Sequence, residues 1–207
     1  NRLGASALMQ GLADGYFVLP YTIQNYLADQ ITVPRFSTEL PEFAEAEKAV
    51  QARIDHLMGI KGKKSVDSIH KELGHIMWEY VGMGRTEEGL KTALKLLKDI
   101  RKEFETNLFI PGSTEGVNIE LEKALRLNDF ITMGELIAYD ALNRNESCGG
   151  HFREEYQTEE GEAKRDDENY FYVSCWEYQG SDDVAPVLYK EPLVYEAIKV
   201  QTRNYKS

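Results

Sequence analysis

Cysteine is scarce in this chain, with only Cys148 and Cys175 among 207 residues and no C-x-x-C pair. That scarcity excludes a disulfide framework and a cysteine zinc site, and it fits a reducing cytoplasm. Positive charge is also in short supply. Twenty-four Lys and Arg face 35 Asp and Glu, for a net charge of -11. A nucleic-acid binder needs clustered basic residues, and an anionic lipid surface attracts them, so both partner classes are disfavoured. No apolar run approaches the length of a membrane span, and the mean hydropathy is -0.48. Histidines at helical metal-binding spacing are missing too. His56, His70 and His75 lack an i, i+4 pair, and His70 and His75, five apart, do not share a helix face. No metal ligand set is expected, and surface or packing roles are favoured for these three. Nor does a methionine begin the chain: Asn1-Arg2-Leu3-Gly4 opens it densely, which predicts the C-terminal portion of a longer protein.

What is present is mostly helical patterning. The 42% hydrophobic content is enough for a packed core. Small and apolar residues from Ala5 to Leu19 predict a closely packed helix, interrupted at Pro20, with a short helix around Ile23, Tyr26 and Leu27. The segment from Ile31 to Pro41 reads as a linker. Phe43, Ala46, Val50, Ile54 and Leu57 then step by three and four. Ser65 predicts an N-cap for a helix carrying Val66, Ile69, Leu73, Ile76, Met77 and Val81, which stops at Gly82-Met83-Gly84. Thr86, Glu87 and Glu88 put oxygen acceptors and negative charge at the start of the next helix, faced by Leu90, Leu94, Leu97, Ile100 and Phe104. A fourth helix runs from Val117 to about Asn143, with Leu121, Leu125, Ile131, Leu136, Ile137 and Leu142 inward. Trp78 and Tyr80 are expected in the core or between helices.

Beyond Cys148 the character changes. Residues 151–168 hold eight acidic side chains, expected as a solvated loop, and then Tyr170–Tyr178 and Val187–Tyr189 flank a turn at Gly180-Ser181-Asp182-Asp183. The fold expected is mainly α: an antiparallel, spectrin-repeat-like bundle of four helices closed by a small β-hairpin. The division expected is 1–34, 35–147 and 148–207.

Arg2 is a candidate anion-handling residue, although by itself an arginine in this position reads as a solvated surface residue. Its guanidinium offers a planar fork of donors to a carboxylate, and the helix beginning just after it presents free N–H groups to an anion. His151, Arg153 and the Arg165-Asp166-Asp167 run read as an ion-paired structural knot rather than a reaction centre. Cys148 and Cys175 read as plain thiols.

Asn1-Arg2-Leu3-Gly4 followed by Leu8 resembles the loop near the flavin ring in flavoprotein subunits of succinate dehydrogenase and fumarate reductase. Met77-Trp78 with Gly82, Arg85 and Gly89-Leu90 resembles that family's C-terminal bundle. Ala141–Ser147, Gly149–Arg153 and Arg165–Asn169 resemble its later Glu-Ser, Gly, His, Arg and Arg-Asp-Asp segment, and Tyr189-Lys190 its closing strand. The resemblance spans nearly the whole chain. It departs at Ala7, where many relatives carry Ser, and at Cys148, where many carry Arg.

The resemblance implies that residues 1–34 end a flavin-binding domain. Arg2 would bind a carboxylate of a dicarboxylate substrate, and the backbone of Ala7 and Leu8 would meet the pyrimidine side of FAD. It places the dinucleotide loop and the remaining catalytic residues ahead of Arg2, so no catalytic residue is assigned in this chain. Without them the chain alone would hold no FAD and be inert. The intact subunit would exchange hydride between FAD and fumarate or succinate. Its electrons would pass through an iron–sulfur subunit to a membrane anchor and quinone, at the inner face of the cytoplasmic membrane. L-Aspartate oxidase and a non-catalytic helical interaction module are the alternatives.

Overall fold

The computed structural model describes residues 4–180, 184–197 and 199–201, with side chains from residue 8 onward. The chain divides into two compact units, Asn1–Gly59 and Ile60–Ser207.

The first unit holds α1 (Gly4–Ala13), a π-helical turn (Asp14–Val18), α2 (Leu19–Leu27), a short 3-10 turn (Ala28–Gln30) and α3 (Pro41–Gly59). Pro20 does not interrupt the helix as expected; it sits in the first turn of α2. Lacking an N–H, it cannot satisfy the carbonyl four residues back, and the widened π turn just before it absorbs that mismatch. The apolar side chains of this stretch are exposed, among them Leu8, Tyr16, Phe17 and Tyr26.

The second unit is built on α4 (Val66–Val81), α5 (Glu87–Asn107) and α6 (Ile119–Asn143), packed pairwise. Lys123 near the start of α6 meets Asp67 near the start of α4, so these two run parallel, with α5 antiparallel to both. Each start is capped as its sequence dictates. Ser65 accepts from the Ser68 N–H, Thr86 from Gly89 and Asn118 from Leu121. Val66, Ile69 and Leu73 of α4 and Leu90, Ala93, Leu97 and Phe104 of α5 are all at or below 4% exposure.

The α6 stripe differs from the expected one. Ala124, Leu127, Ile131, Gly134, Ala138 and Ala141 are buried, whereas Ile137 is 42% exposed. Small residues win this face because the helix approaches closely. A Cβ on Gly134 would sit 3.2 Å from Met77 Sδ. Trp78 is a further correction: it is 84% exposed rather than packed in the core. Its neighbour Met77 takes the inward position that the i, i+4 spacing from Leu73 offers.

Two short parallel strands, β1 (Lys64–Ser65) and β2 (Leu108–Phe109), tie the start of α4 to the end of α5. Gly62 N–H donates to Leu108 O at 2.7 Å beside them. After α6 come an irregular segment, the single turn α7 (Asp167–Tyr170), and the hairpin β3 (Tyr172–Glu177) and β4 (Val187–Pro192), antiparallel with Cys175 opposite Tyr189. The hairpin matches expectation, although Ser181–Asp183 of its turn lie outside the described residues.

A Cβ on Gly62 would fall 2.1 Å from the Asn107 carbonyl, whereas one on Gly74 of α4 meets nothing within 4 Å. Gly62→Ala should therefore destabilise the second unit by about 1–3 kcal/mol, as overpacking against rigid backbone does. Gly74→Ala should stabilise it by about 0.5–1 kcal/mol through helix propensity. Urea midpoints shifting the same way in both variants would contradict this packing.

Candidate functional site

Arg2 lies outside the described residues, as does the side chain of Ala7; the Leu8 side chain is 69% exposed. Helix α1 is described from Gly4, two residues after Arg2, with no acidic residue in its first turn. The first N–H groups of such a helix lack intrahelical acceptors, and no local carboxylate competes for them.

A second cluster is described in full. The parallel α4 and α6 end side by side, and each leaves carbonyls and a negative dipole end that call for a cation. Arg85 serves α4: its Nε donates to Val81 O at 3.1 Å and Gly82 O at 3.0 Å. Arg153 serves α6, with Nη1 donating to Ala141 O at 3.1 Å. Its side chain has no exposed surface, which demands a counterion. Glu155 supplies one, accepting from Arg153 Nε at 3.0 Å. The other Glu155 oxygen accepts from the N–H of Glu87, the first residue of α5, at 2.5 Å. One Arg-x-Glu sequence thus neutralises a helix C-terminus and a helix N-terminus at once. Arg153 Nη2 has no hydrogen-bond partner among the described residues, while the Tyr156 ring lies 5.4 Å from the guanidinium carbon.

Backbone ladders lock this segment down. Arg85 N–H donates to Phe152 O and Glu154 N–H to Arg85 O, at 3.1 and 2.8 Å. The buried Ser147 hydroxyl accepts from the Arg153 N–H at 2.8 Å. Arg144, just past the end of α6, pairs with buried Glu146 at 2.7 Å and donates to Tyr172 O of the hairpin at 3.0 Å. Trp176 Nε1 donates to Asp140 at 2.7 Å, so β3 is pinned to α6 twice.

Electrostatics follow the geometry. Burial alone would raise the Glu155 carboxyl, but the Glu87 N–H, its own N–H and Arg153 outweigh it and hold the group below its ordinary value. His151 moves down from its ordinary value. Burial is the largest cause, the Arg144 carbonyl works against it, and the charges of Arg85, Arg153 and Arg144 add to it.

The knot expected of His151 and Arg153 is present. The Arg165 side chain stands apart, paired with Asp167 at 2.5 Å, while its neighbours join the cluster: Asp166 N–H donates to Glu146 and Lys164 O accepts from Ser147 N–H. The acidic 154–168 run is not wholly solvated, since Glu155 is a structural counterion. Sequence reasoning passed over Glu155, Arg144 and Glu146. The available signal was an acidic residue two positions from an arginine just past a helix end. His70 stacks on Phe130 with centroids 5.5 Å apart, and among the described residues no cluster could hold a metal ion.

These polar groups hold the elements of a helical domain to one another. A family model described as fumarate reductase flavoprotein C-term matches residues 70–205. The chain belongs to this family of flavoproteins. It is 28% identical over 193 residues to the fumarate reductase flavoprotein subunit of Helicobacter pylori, covering 93% of this chain and 25% of that protein. It is 37% identical over 88 residues to a chloroplastic L-aspartate oxidase of Nicotiana tabacum, covering 42% of this chain and 13% of that one. The chain thus spans between an eighth and a quarter of the length of these relatives. Among solved structures, E. coli quinol fumarate reductase has a similar fold, with a TM-score of 0.63 and 23% identity over 83% of this chain and 28% of that one.

Arg153→Met removes the α6 cap and should destabilise the second unit by about 1.5–3 kcal/mol, the range for a buried charge-assisted hydrogen bond. Arg165→Met, which breaks a surface pair, should cost no more than about 1 kcal/mol. Chemical denaturation of both variants checks this, and equal losses would contradict the separation.

Proposed function

We propose that this chain forms the bundle and closing extension of a flavoprotein that interconverts fumarate and succinate. The family match over residues 70–205 is the observation that carries the reading. FAD, when bound, would supply the hydride exchange. This chain's contribution is to hold and orient. Arg2 binds a substrate carboxylate through its guanidinium fork, and the Ala7 and Leu8 backbone at the start of α1 faces the electron-rich pyrimidine side of the flavin. The bundle supplies no catalytic group, so this chain alone is inert.

Electrons pass between the flavin and an iron–sulfur subunit, and through it a membrane anchor with quinone. The whole assembly sits at the inner face of the cytoplasmic membrane. Among the described residues no helix is long and apolar enough to cross a membrane, which fits a subunit held there by partners.

A second reading is L-aspartate oxidase, which the tobacco relative supports. The match to the Helicobacter subunit runs over 93% of this chain against 42%, and that difference favours the fumarate–succinate reading. In the whole protein, Arg2→Gln should keep flavin content normal and lower fumarate turnover by about 100-fold or more, as loss of a charge-assisted clamp does. Near-normal turnover would remove Arg2 from the substrate site. Flavin reduction by L-aspartate but not by succinate would favour the oxidase.

A further inference from the structure

His151 lies where three elements meet: the α4–α5 connection, the end of α6, and the segment that carries Arg153. Its Nδ1 is 2.9 Å from Arg85 Nη1, and its Nε2 is 2.9 Å from Arg144 O. A guanidinium can only donate and a carbonyl can only accept. The ring is therefore held neutral, with a bare Nδ1 and a proton on Nε2. Protonation of Nδ1 would turn two donors against each other and add a positive charge beside Arg85, Arg144 and Arg153.

The surroundings offer little to neutralise that charge. Asp140 of α6 lines the same cleft, but its charge already acts on Arg85, and its carboxylate accepts from Trp176 Nε1. Glu146 is paired with Arg144, and Glu155 with Arg153. The hairpin contributes Ser174 and Trp176, neither of which titrates in this range, and Cys148 completes the ring of titratable neighbours. The backbone of His151 meanwhile exchanges two hydrogen bonds with Cys148, at 2.8 and 3.0 Å, closing a turn that holds Gly149 at φ +61°. The imidazole thus pins the turn that feeds Phe152 and Arg153 onto the bundle.

We infer that His151 is a pH-operated latch: neutral, it fastens residues 147–157 across the end of the bundle, and protonated, it frees them and uncaps α6. The folded form holds the ring proton less tightly than the unfolded chain does. Its contribution to stability is therefore complete above about pH 6.5, the unfolded value, and is lost as pH falls from there through the lower folded value.

Hydrogen exchange on the 207-residue chain, corrected for the intrinsic pH dependence of exchange, tests this. Between roughly pH 7.5 and pH 5.5 the amides of Arg153 and Glu154 should lose protection about tenfold, while those of α5 keep theirs. His151→Gln retains a neutral donor and acceptor that cannot be charged, and it should abolish the loss. Unchanged protection in the parent chain overturns the latch, as does an equal loss in His151→Gln. Should that variant not fold, the ring C–H resonance of His151 in the parent decides: titration below about pH 6.5 supports the latch, and titration at or above that value overturns it.

Discussion

The guanidinium of Arg153 lies fully buried against the last carbonyls of α6, and the arrangement around it follows from what a buried charge requires. It needs acceptors, which the uncapped end of α6 provides, and a counterion, which must come from nearby. Glu155 is near enough because the chain turns between them, the Tyr156 N–H donating to Arg153 O at 2.8 Å, and its second oxygen then reaches the first N–H of α5. The segment that follows α6 is therefore the clasp of the bundle. It lies across both helix ends and pairs by backbone with Arg85, which caps α4 in turn.

The same logic extends to the hairpin. A two-stranded ribbon is marginal by itself and needs something to pack on. Here Arg144 donates to Tyr172 O, stacks by its guanidinium near the Tyr170 and Tyr172 rings, and is balanced by Glu146. Trp176 packs edge-on to Tyr139 with centroids 5.0 Å apart while its N–H reaches Asp140. Polar contacts orient the ribbon and the aromatic pair supplies the buried area. In the functional reading, this closed domain is the scaffold beyond a flavin site whose contacts from this chain all lie at Arg2, Ala7 and Leu8.

Much of the fold could be read from the residues alone, because its signals are local. Ser65 and Thr86 cap helices as their hydroxyls predict, and Leu90, Leu97 and Phe104 follow one periodic stripe. Period fixes a face less well where small residues compete. On α6 the large side chains suggested one stripe, and close approach chose Ala124, Gly134 and Ala138 instead. Trp78 misled for the opposite reason, since bulk suggests burial but Met77 already filled the inward position. The polar cap was half legible. His151 and Arg153 stood out, but Glu155 was lost among seven other acidic residues, and the Glu87 N–H that it also binds is distant in sequence. Arg2 lies outside the described residues, and its proposed role rests on the resemblance.

The clasp is tested most directly by a double-mutant cycle joining Arg153→Met and Glu155→Gln in the 207-residue chain, read by chemical denaturation. A pair that balances a buried charge should show a coupling of about 1–3 kcal/mol, with the double variant less destabilised than the sum of the single ones. Losses that add to within about 0.3–0.5 kcal/mol would mean the two side chains act independently, and the bundle would owe its closure to something else.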